Sequence, residues 1–214
     1  MPNPLDQPWR SALIDRIRRE ALPPEKFSHQ ARLYALTREI ASQQPDPVDD
    51  DVLFGAAWVH DLGVFLGHRP SDPEQLKRWN STAYTVAQAP AVLRDCGFPE
   101  AKIAAVIECI RTHEAHGEPT TLEGIVLRDA DLLEQLGAVA VMRTTAKIAQ
   151  DTRFITFADA AASLRRSLQS VPAQIRLDQA KVLAAPRIAA LQAFLDALDS
   201  ESTGLLGFER GNSV

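Results

Sequence analysis

Apolar residues recur every three to four positions along most of the chain, and this periodicity constrains the fold more than any other feature. In residues 29–40, for example, Leu33, Leu36 and Ile40 fall on one face of a helix. Alternating apolar runs and the Asn-Gly or Asp-Gly turns of β-hairpins do not occur in the sequence. The sequence therefore predicts an all-α fold, a single-domain helical bundle.

The breaks in this periodicity predict where the helices end. Residues 75–95 are expected to form one helix, and Thr121 is expected to cap a helix that continues to Met142. Residues 157–199 are expected to form two alanine-rich helices, and residues 200–214 a loosely held tail. Repeats, low-complexity blocks and linkers are not evident, so one domain is the simplest interpretation.

Composition narrows the class of function. The 214 residues carry a net charge of −5, which is poorly suited to binding a nucleic-acid polymer or an anionic membrane over a broad face. Nothing approaches the ~20 apolar residues of a membrane span, and the N-terminus lacks an apolar stretch of signal-peptide length. Cys96 and Cys109 do not make a disulfide framework. We therefore expect a cytoplasmic protein.

Several polar residues lie where helical periodicity predicts apolar surroundings. His60 and Asp61 end an apolar, small-residue segment, and His29 lies on the apolar face of the preceding helix. Asp129 and Asp131 interrupt a later apolar helix. A His-Asp pair alone is weak evidence, and a buried histidine is often simply hydrogen-bonded. One shared site explains all of them together, and imidazole with carboxylate ligands suits Mn, Fe, Ni or Zn.

At this point the sequence resembles the HD-domain metal-dependent phosphohydrolases, and most closely their small stand-alone bacterial members. The pattern of a histidine, a His-Asp pair and a distant aspartate is found in "SHQARLYALTREIA", "AAWVHDLG" and "LRDADLLEQLGA". Arg143 matches the arginine that closes the last motif. The resemblance runs from about residue 25 to residue 145, and the four parts occur in family order at family-like spacings.

The resemblance implies a fold and an activity. It implies an HD-type helical bundle with an N-terminal helix (1–24), a metal-binding core (25–145), and C-terminal helices (146–199) that complete the same domain. One divalent metal ion (Mn, Fe, Ni or Zn, with Mg also allowed) would be held by four ligands: His29, His60, Asp61 and Asp131. The implied activity is hydrolysis of a phosphate ester or anhydride of a nucleotide or other small phosphorylated metabolite, by metal-activated water.

Further residues receive roles with open alternatives. Asp61 is assigned a catalytic role beside its ligand role. His113 would donate to a phosphate oxygen or the leaving group, or it is a C-terminal histidine favoured by the helix dipole. Arg32 would bind substrate phosphate, or it only pairs with a carboxylate. His68 and His116 are interpreted as solvated loop residues.

Asp129 and Asp131 compete for the last ligand position. Two residues apart on a helix is ~200°, so both cannot easily face one ion. Helix periodicity favours Asp129, which shares its face with Ile125 and Leu136, whereas the family motif favours Asp131. Because the motif fixes the register, Asp131 is taken as the ligand and Asp129 as an orienting carboxylate.

Two departures from the family pattern concern the substrate. Glu25-Lys26-Phe27 stands where the family often has a His-Asp step, and Leu132 replaces an arginine. Basic residues that the family may use on phosphate are therefore partly missing. This favours a second hypothesis, in which an HD-fold protein binds a metal and a small phosphorylated ligand without turnover.

Overall fold

The computed structural model describes residues 7–114, 116–148 and 154–202, and these residues are helical with short connections. Within these ranges lie ten α-helices: α1 (Pro8–Glu20), α2 (Glu25–Ala41), α3 (Asp50–Val59), α4 (Pro73–Lys77), α5 (Ser81–Asp95), α6 (Glu100–Thr112), α7 (Leu122–Leu133), α8 (Gly137–Thr145), α9 (Phe157–Ser170) and α10 (Asp178–Ser202). No strand forms within the described residues, and an isolated bridge joins Leu66 and Arg69. The predicted all-α fold is confirmed.

The chain divides into two compact units, and the first extends to Ala130. At its centre lies α3, which packs against α1, α2, α5 and α6. All eight residues from Val52 to Val59 are buried. A helix that is apolar all round has no solvent face to present, and this is why α3 forms the core of the unit.

The second unit begins at Asp131, within the last turn of α7. Its other helices, α8, α9 and α10, pack against one another in pairs. Thr156 caps α9 through a capping box with Asp159, and the two-helix prediction for residues 157–199 is met by α9 and α10. None of the described helices has the length and apolar character needed to cross a membrane.

Two predicted helices are each divided in the structure. The segment 75–95 forms α4 and α5, because Asn80 caps a new helix by accepting a hydrogen bond from the backbone N–H of Ala83 at 2.8 Å. The segment predicted to run to Met142 forms α7 and α8, which are separated at Gly137 with φ +79°. α7 has already ended at Leu133, and the left-handed conformation of Gly137, the first residue of α8, excludes one continuous helix through this point; glycine adopts it without strain. Of the predicted tail, residues 200–202 belong to α10, and the remainder lies outside the described residues.

Candidate metal centre

His60 and Asp61 lie at the C-terminal end of α3. The helix ends at Val59, His60 keeps helical angles (φ −55°, ψ −29°), and Asp61 leaves them (φ −102°, ψ 14°). Consecutive residues inside a helix diverge by ~100°, but here the chain turns between them into a short 3-10 segment, Leu62–Val64. The turn lets both side chains face the same space.

Gly63 fixes this turn against the start of α5. Its N–H donates to Thr85 Oγ1 at 3.0 Å, and its carbonyl accepts from Trp79 Nε1 at 2.7 Å. A Cβ atom built on Gly63 would lie 2.2 Å from the carbonyl oxygen of Ser81. Only glycine allows this close approach, so the residue type two positions after Asp61 determines how α3 can end.

The side chain of His60 is buried and its proton can be assigned. Its Nδ1 lies 3.0 Å from the carbonyl oxygen of Ala57. A carbonyl only accepts, so Nδ1 carries the proton and Nε2 of the neutral ring presents a lone pair. That Nε2 lies 3.7 Å from Asp61 Oδ1. Such a backbone anchor on one ring nitrogen is the usual arrangement of a histidine that binds a metal through the other.

His29 approaches the same space from α2. It is 2% exposed, and its ring centre lies 5.3 Å from that of His60. Its Nε2 lies 3.8 Å from Asp61 Oδ2, which is longer than a hydrogen bond. Ligands of one ion at ~2.0–2.2 Å stand roughly 3–4 Å from one another. The spacing of these nitrogen and carboxylate atoms therefore fits a shared divalent ion.

Asp131 completes a three-residue group with the two histidines. One ligand atom each from His29, His60 and Asp131 lies within 4.8 Å of the others. Asp131 stands in the last turn of α7, directly after the last residue of the first unit. Two imidazoles and a carboxylate suit Mn, Fe, Ni or Zn. Asp61 lies beside both histidines but outside this group, so its predicted ligand role stays a prediction.

Asp129 lies elsewhere on α7. It is fully buried, and its Oδ1 is 3.8 Å from Nη1 of Arg128, which is itself 4% exposed. This contact fits the interpretation of Asp129 as a carboxylate that fixes a basic side chain. The helix face predicted from periodicity is thus the more buried one, while the carboxylate grouped with the histidines is the half-buried Asp131.

The environment of Asp61 keeps its carboxyl group ionised. Burial by itself raises the pKa, but the positive charges of His60 and His29, when these are protonated, and of Lys26 outweigh it and hold the pKa well below its usual range. The side chain is 20% exposed. An ionised, partly accessible carboxylate beside two histidines is in the form that a metal ion or a water molecule requires.

Lys26 is a residue of this region that sequence reasoning treated only as a departure from the family. Its Nζ lies 3.9 Å from Asp61 Oδ2, and its side chain is 22% exposed. Lys26 and His29 are three positions apart on α2, so they share a face of the helix. The helical spacing was a signal for this proximity, but the contact with Asp61 depends on how α2 packs against α3.

His113 lies next to His60 in the first unit. It is the C-cap residue of α6, and the ring centres of the two histidines are 5.2 Å apart. Nδ1 of His113 lies 2.6 Å from the carbonyl oxygen of Ile110 and therefore carries the proton. A donor role for Nε2 then requires the imidazolium form. The structure thus places His113 in contact with a candidate ligand as well as at a helix C-terminus, so both interpretations remain.

The other basic candidates differ from one another. Arg32 lies one turn after His29 on α2 and donates to Ser28 Oγ at 3.0 Å, and its role on phosphate stays a prediction. His68 lies in a loop, as predicted, but it is half-buried and not fully solvated, because it contacts Tyr84 Oη at 3.1 Å through Nδ1 and Glu20 at 3.3 Å through Nε2. His116 is exposed, as expected.

Comparison with known proteins supports the fold. No family model and no curated protein matches the sequence. YpgQ from Bacillus subtilis is 21% identical with a TM-score of 0.71, and the match covers 92% of this chain and 97% of that one. YpgQ has also been solved in complex with ADP.

Two further similar structures are described as HD-superfamily hydrolases. An HD-superfamily hydrolase from Bacillus thuringiensis is 16% identical with a TM-score of 0.64, and the match covers 91% of this chain and 96% of that one. A predicted HD-superfamily hydrolase from an uncultured Thermotogales bacterium is 24% identical with a TM-score of 0.58, covering 90% and 91%. Because these matches run over nearly the full length of both chains, this chain has the fold of the HD superfamily, as its motifs predict.

Proposed function

We propose that the chain is a metal-dependent phosphohydrolase that cleaves a phosphate ester or anhydride in a nucleotide or another small phosphorylated metabolite. The observation that carries this proposal is the group of ligand atoms from His29, His60 and Asp131 within 4.8 Å of one another. The fold of two HD-superfamily hydrolases supports the hydrolase class.

His29, His60, Asp61 and Asp131 would hold one divalent ion. Two neutral imidazoles and two carboxylates would balance the ion's charge and leave coordination positions for water and substrate. When bound, the ion supplies Lewis acidity, which lowers the pKa of a bound water and polarises a phosphoryl oxygen. The anchored Nδ1 of His60 keeps its ring in the orientation and tautomer that this role requires.

The chain's own groups would orient the reaction. Asp61, held ionised by neighbouring positive charge, accepts a hydrogen bond from the attacking water and aligns it with phosphorus. His113 in its imidazolium form donates Nε2–H to the leaving group or to a phosphoryl oxygen, with Nδ1 anchored on Ile110.

A nucleotide is the preferred substrate class in this proposal. YpgQ has been solved in complex with ADP, and it shares this fold over nearly its whole length. The acidic chain argues against polymeric nucleic acid, whereas one small phosphate group needs only local positive charge. A binding protein without turnover is the second candidate, and it is favoured by Leu132, whose side chain is buried where the family has an arginine.

Phosphate release from a panel of nucleoside mono-, di- and triphosphates tests the proposal. We expect release with Mn²⁺ present, its loss after chelation, and its return when the metal is restored. Nucleotide binding without release in every member of the panel would contradict the enzyme and support the binding protein. Absence of both would contradict each candidate function.

A further inference from the structure

Lys26 carries positive charge into the candidate metal centre. Its ammonium group lies 3.9 Å from Asp61 Oδ2, and the two side chains are 22% and 20% exposed. This distance allows electrostatic attraction but is too long for a hydrogen bond. The positive charge of Lys26 contributes to the low pKa of Asp61, after burial and the contribution of His60.

Lys102, also in the first unit, is an example of a lysine whose ammonium group is held by hydrogen bonds within the structure. Lys102 Nζ donates to Asp49 Oδ1 at 2.8 Å and to Asp51 Oδ2 at 2.7 Å. Lys26 Nζ, by contrast, makes no hydrogen bond with any residue in the described parts of the chain. A lysine ammonium has three N–H donors, and those of Lys26 are available to solvent or to a ligand.

The net charge of the metal centre indicates what the N–H donors of Lys26 would bind. Two carboxylates and two neutral histidines around a divalent ion sum to no net charge, so a phosphate group adds uncompensated negative charge. Lysine is a common phosphate ligand because its compact ammonium pairs with one oxygen without demanding a planar geometry. The ammonium group of Lys26, beside Asp61, would compensate the negative charge of a phosphate group bound at this centre.

We propose that Lys26 is a substrate-binding residue that donates to a non-bridging phosphate oxygen held next to Asp61. The inference rests on the proposed function for the presence of a phosphate group, and it identifies the cation that binds it. The segment Glu25-Lys26-Phe27, which departs from the family pattern, then supplies positive charge on α2 instead of removing it. Lys26 acts on substrate affinity, while the metal ligands act on turnover.

The test compares Lys26→Met, Lys26→Arg and Lys77→Met in the full-length chain loaded with Mn²⁺. Lys77 is a matched control because it is an exposed lysine paired with Glu74 on α4. Binding of inorganic phosphate is measured by titration calorimetry, and metal content by elemental analysis. We expect Lys26→Met to weaken phosphate binding by about 10- to 100-fold, Lys26→Arg to retain most of it, and Lys77→Met to match the unsubstituted protein.

Metal content separates binding from an indirect effect. The proposal requires that Lys26→Met still hold the same amount of Mn²⁺ per chain. Loss of the metal in this variant would mean that Lys26 supports metal binding through Asp61 and does not bind phosphate itself. That result would overturn the proposal. Unchanged phosphate affinity in Lys26→Met, or no phosphate binding by the unsubstituted protein with or without Mn²⁺, would overturn it too.

Kinetics distinguishes this inference from the proposed function. With an active nucleotide, Lys26→Met should raise KM with a much smaller change in kcat, since the metal ligands are intact. Turnover with an unchanged KM in this variant would keep the proposed function and reject the inference. Phosphate binding that depends on Lys26, in a protein that hydrolyses no nucleotide, would keep the inference and reject the enzyme.

Discussion

The two ends of α3 both carry charged residues, and the two clusters are built differently. At the N-terminal end, Arg10 Nη2 donates to Asp50 at 2.8 Å and to Asp51 at 2.6 Å, and Lys102 donates to Asp49 and Asp51. At the C-terminal end, the carboxylate of Asp61 lies 3.7–3.9 Å from its three cationic or potentially cationic neighbours. One cluster is closed by direct hydrogen bonds, and the other holds its polar atoms apart.

The difference separates a structural cluster from a candidate site on the same helix. Asp49 caps α3 by accepting from the backbone N–H groups of Asp51 and Val52, and burial raises the pKa of Tyr34 to about 12, so that its phenol stays protonated and donates to Asp50. Arg10, Lys102 and the three aspartates each have a partner within hydrogen-bond length. Asp61 accepts no side-chain hydrogen bond within the described residues. A half-buried carboxylate in that condition has acceptor positions left for water or a ligand.

The largest expected effect on activity and metal affinity is at the C-terminal end of α3, where Asp61 lies. We predict that Asp61→Ala abolishes hydrolysis and lowers metal affinity by more than about 100-fold, while helical content stays close to that of the unsubstituted protein. Removing a site carboxylate costs little packing and can relieve repulsion between carboxylates. Elemental analysis, phosphate release and circular dichroism measure the three quantities.

Asp95→Ala, which removes an exposed carboxylate paired with Arg16, is the control for that experiment. Full activity in Asp61→Ala would place the chemistry elsewhere in the chain.

The second prediction concerns which carboxylate of α7 binds the metal together with His29 and His60. We predict that Asp131→Asn loses metal affinity by orders of magnitude, because Asp131 is grouped with the two histidines. Asp129→Asn should lose no more than about 10- to 100-fold, the usual cost of an outer carboxylate. Metal titration of both variants measures this, and a large loss in Asp129→Asn alone would reverse the assignment.

The third prediction concerns Arg10, which donates to Asp50 and Asp51 at the N-terminal end of α3. Arg10 is 3% exposed, and Arg10→Met removes one direct partner from Asp50 and one from Asp51, which keep Tyr34 and Lys102. We predict a loss of about 1.5–3 kcal/mol in the free energy of unfolding, measured by denaturant titration, with metal content per chain unchanged. Arg94→Met removes an exposed arginine paired with Glu100 and should change little. Metal loss from folded Arg10→Met would show that the two ends of α3 are not independent.

The smallest effect concerns acid stability. Burial raises the pKa of Asp51, but hydrogen bonds from Lys102 and Arg10 outweigh it and hold the pKa below its ordinary value of 3.8. A lowered folded-state pKa contributes stability above the unfolded value, and this is lost as the pH falls through the folded value. We predict that Asp51→Asn is less stable at pH 7 and loses less stability than the unsubstituted protein on acidification. Unfolding titrations from pH 7 to pH 3 measure this, with the exposed Asp15→Asn as control.

The helices themselves were largely predictable, because periodicity depends only on local sequence. The break at Gly137 was missed, since a glycine inside an apolar run gives no sign that its φ will be positive. The order of motifs indicated His29, His60 and Asp131, which the structure groups. Lys26 was missed as a member of the site, because its proximity to Asp61 arises from the packing of α2 on α3.

The contacts of Gly63 imply that ligand binding and local opening of α5 are thermodynamically linked. Gly63 is hydrogen-bonded to Thr85 and Trp79, and its Cα lies against the backbone of Ser81. Fraying the first turn of α5 would therefore release the chain immediately after Asp61. Any ion that binds the ordered end of α3 must suppress that fraying. The backbone amides of Ala83 and Tyr84, which donate to Asn80, should accordingly exchange hydrogen more slowly with Mn²⁺ than after chelation.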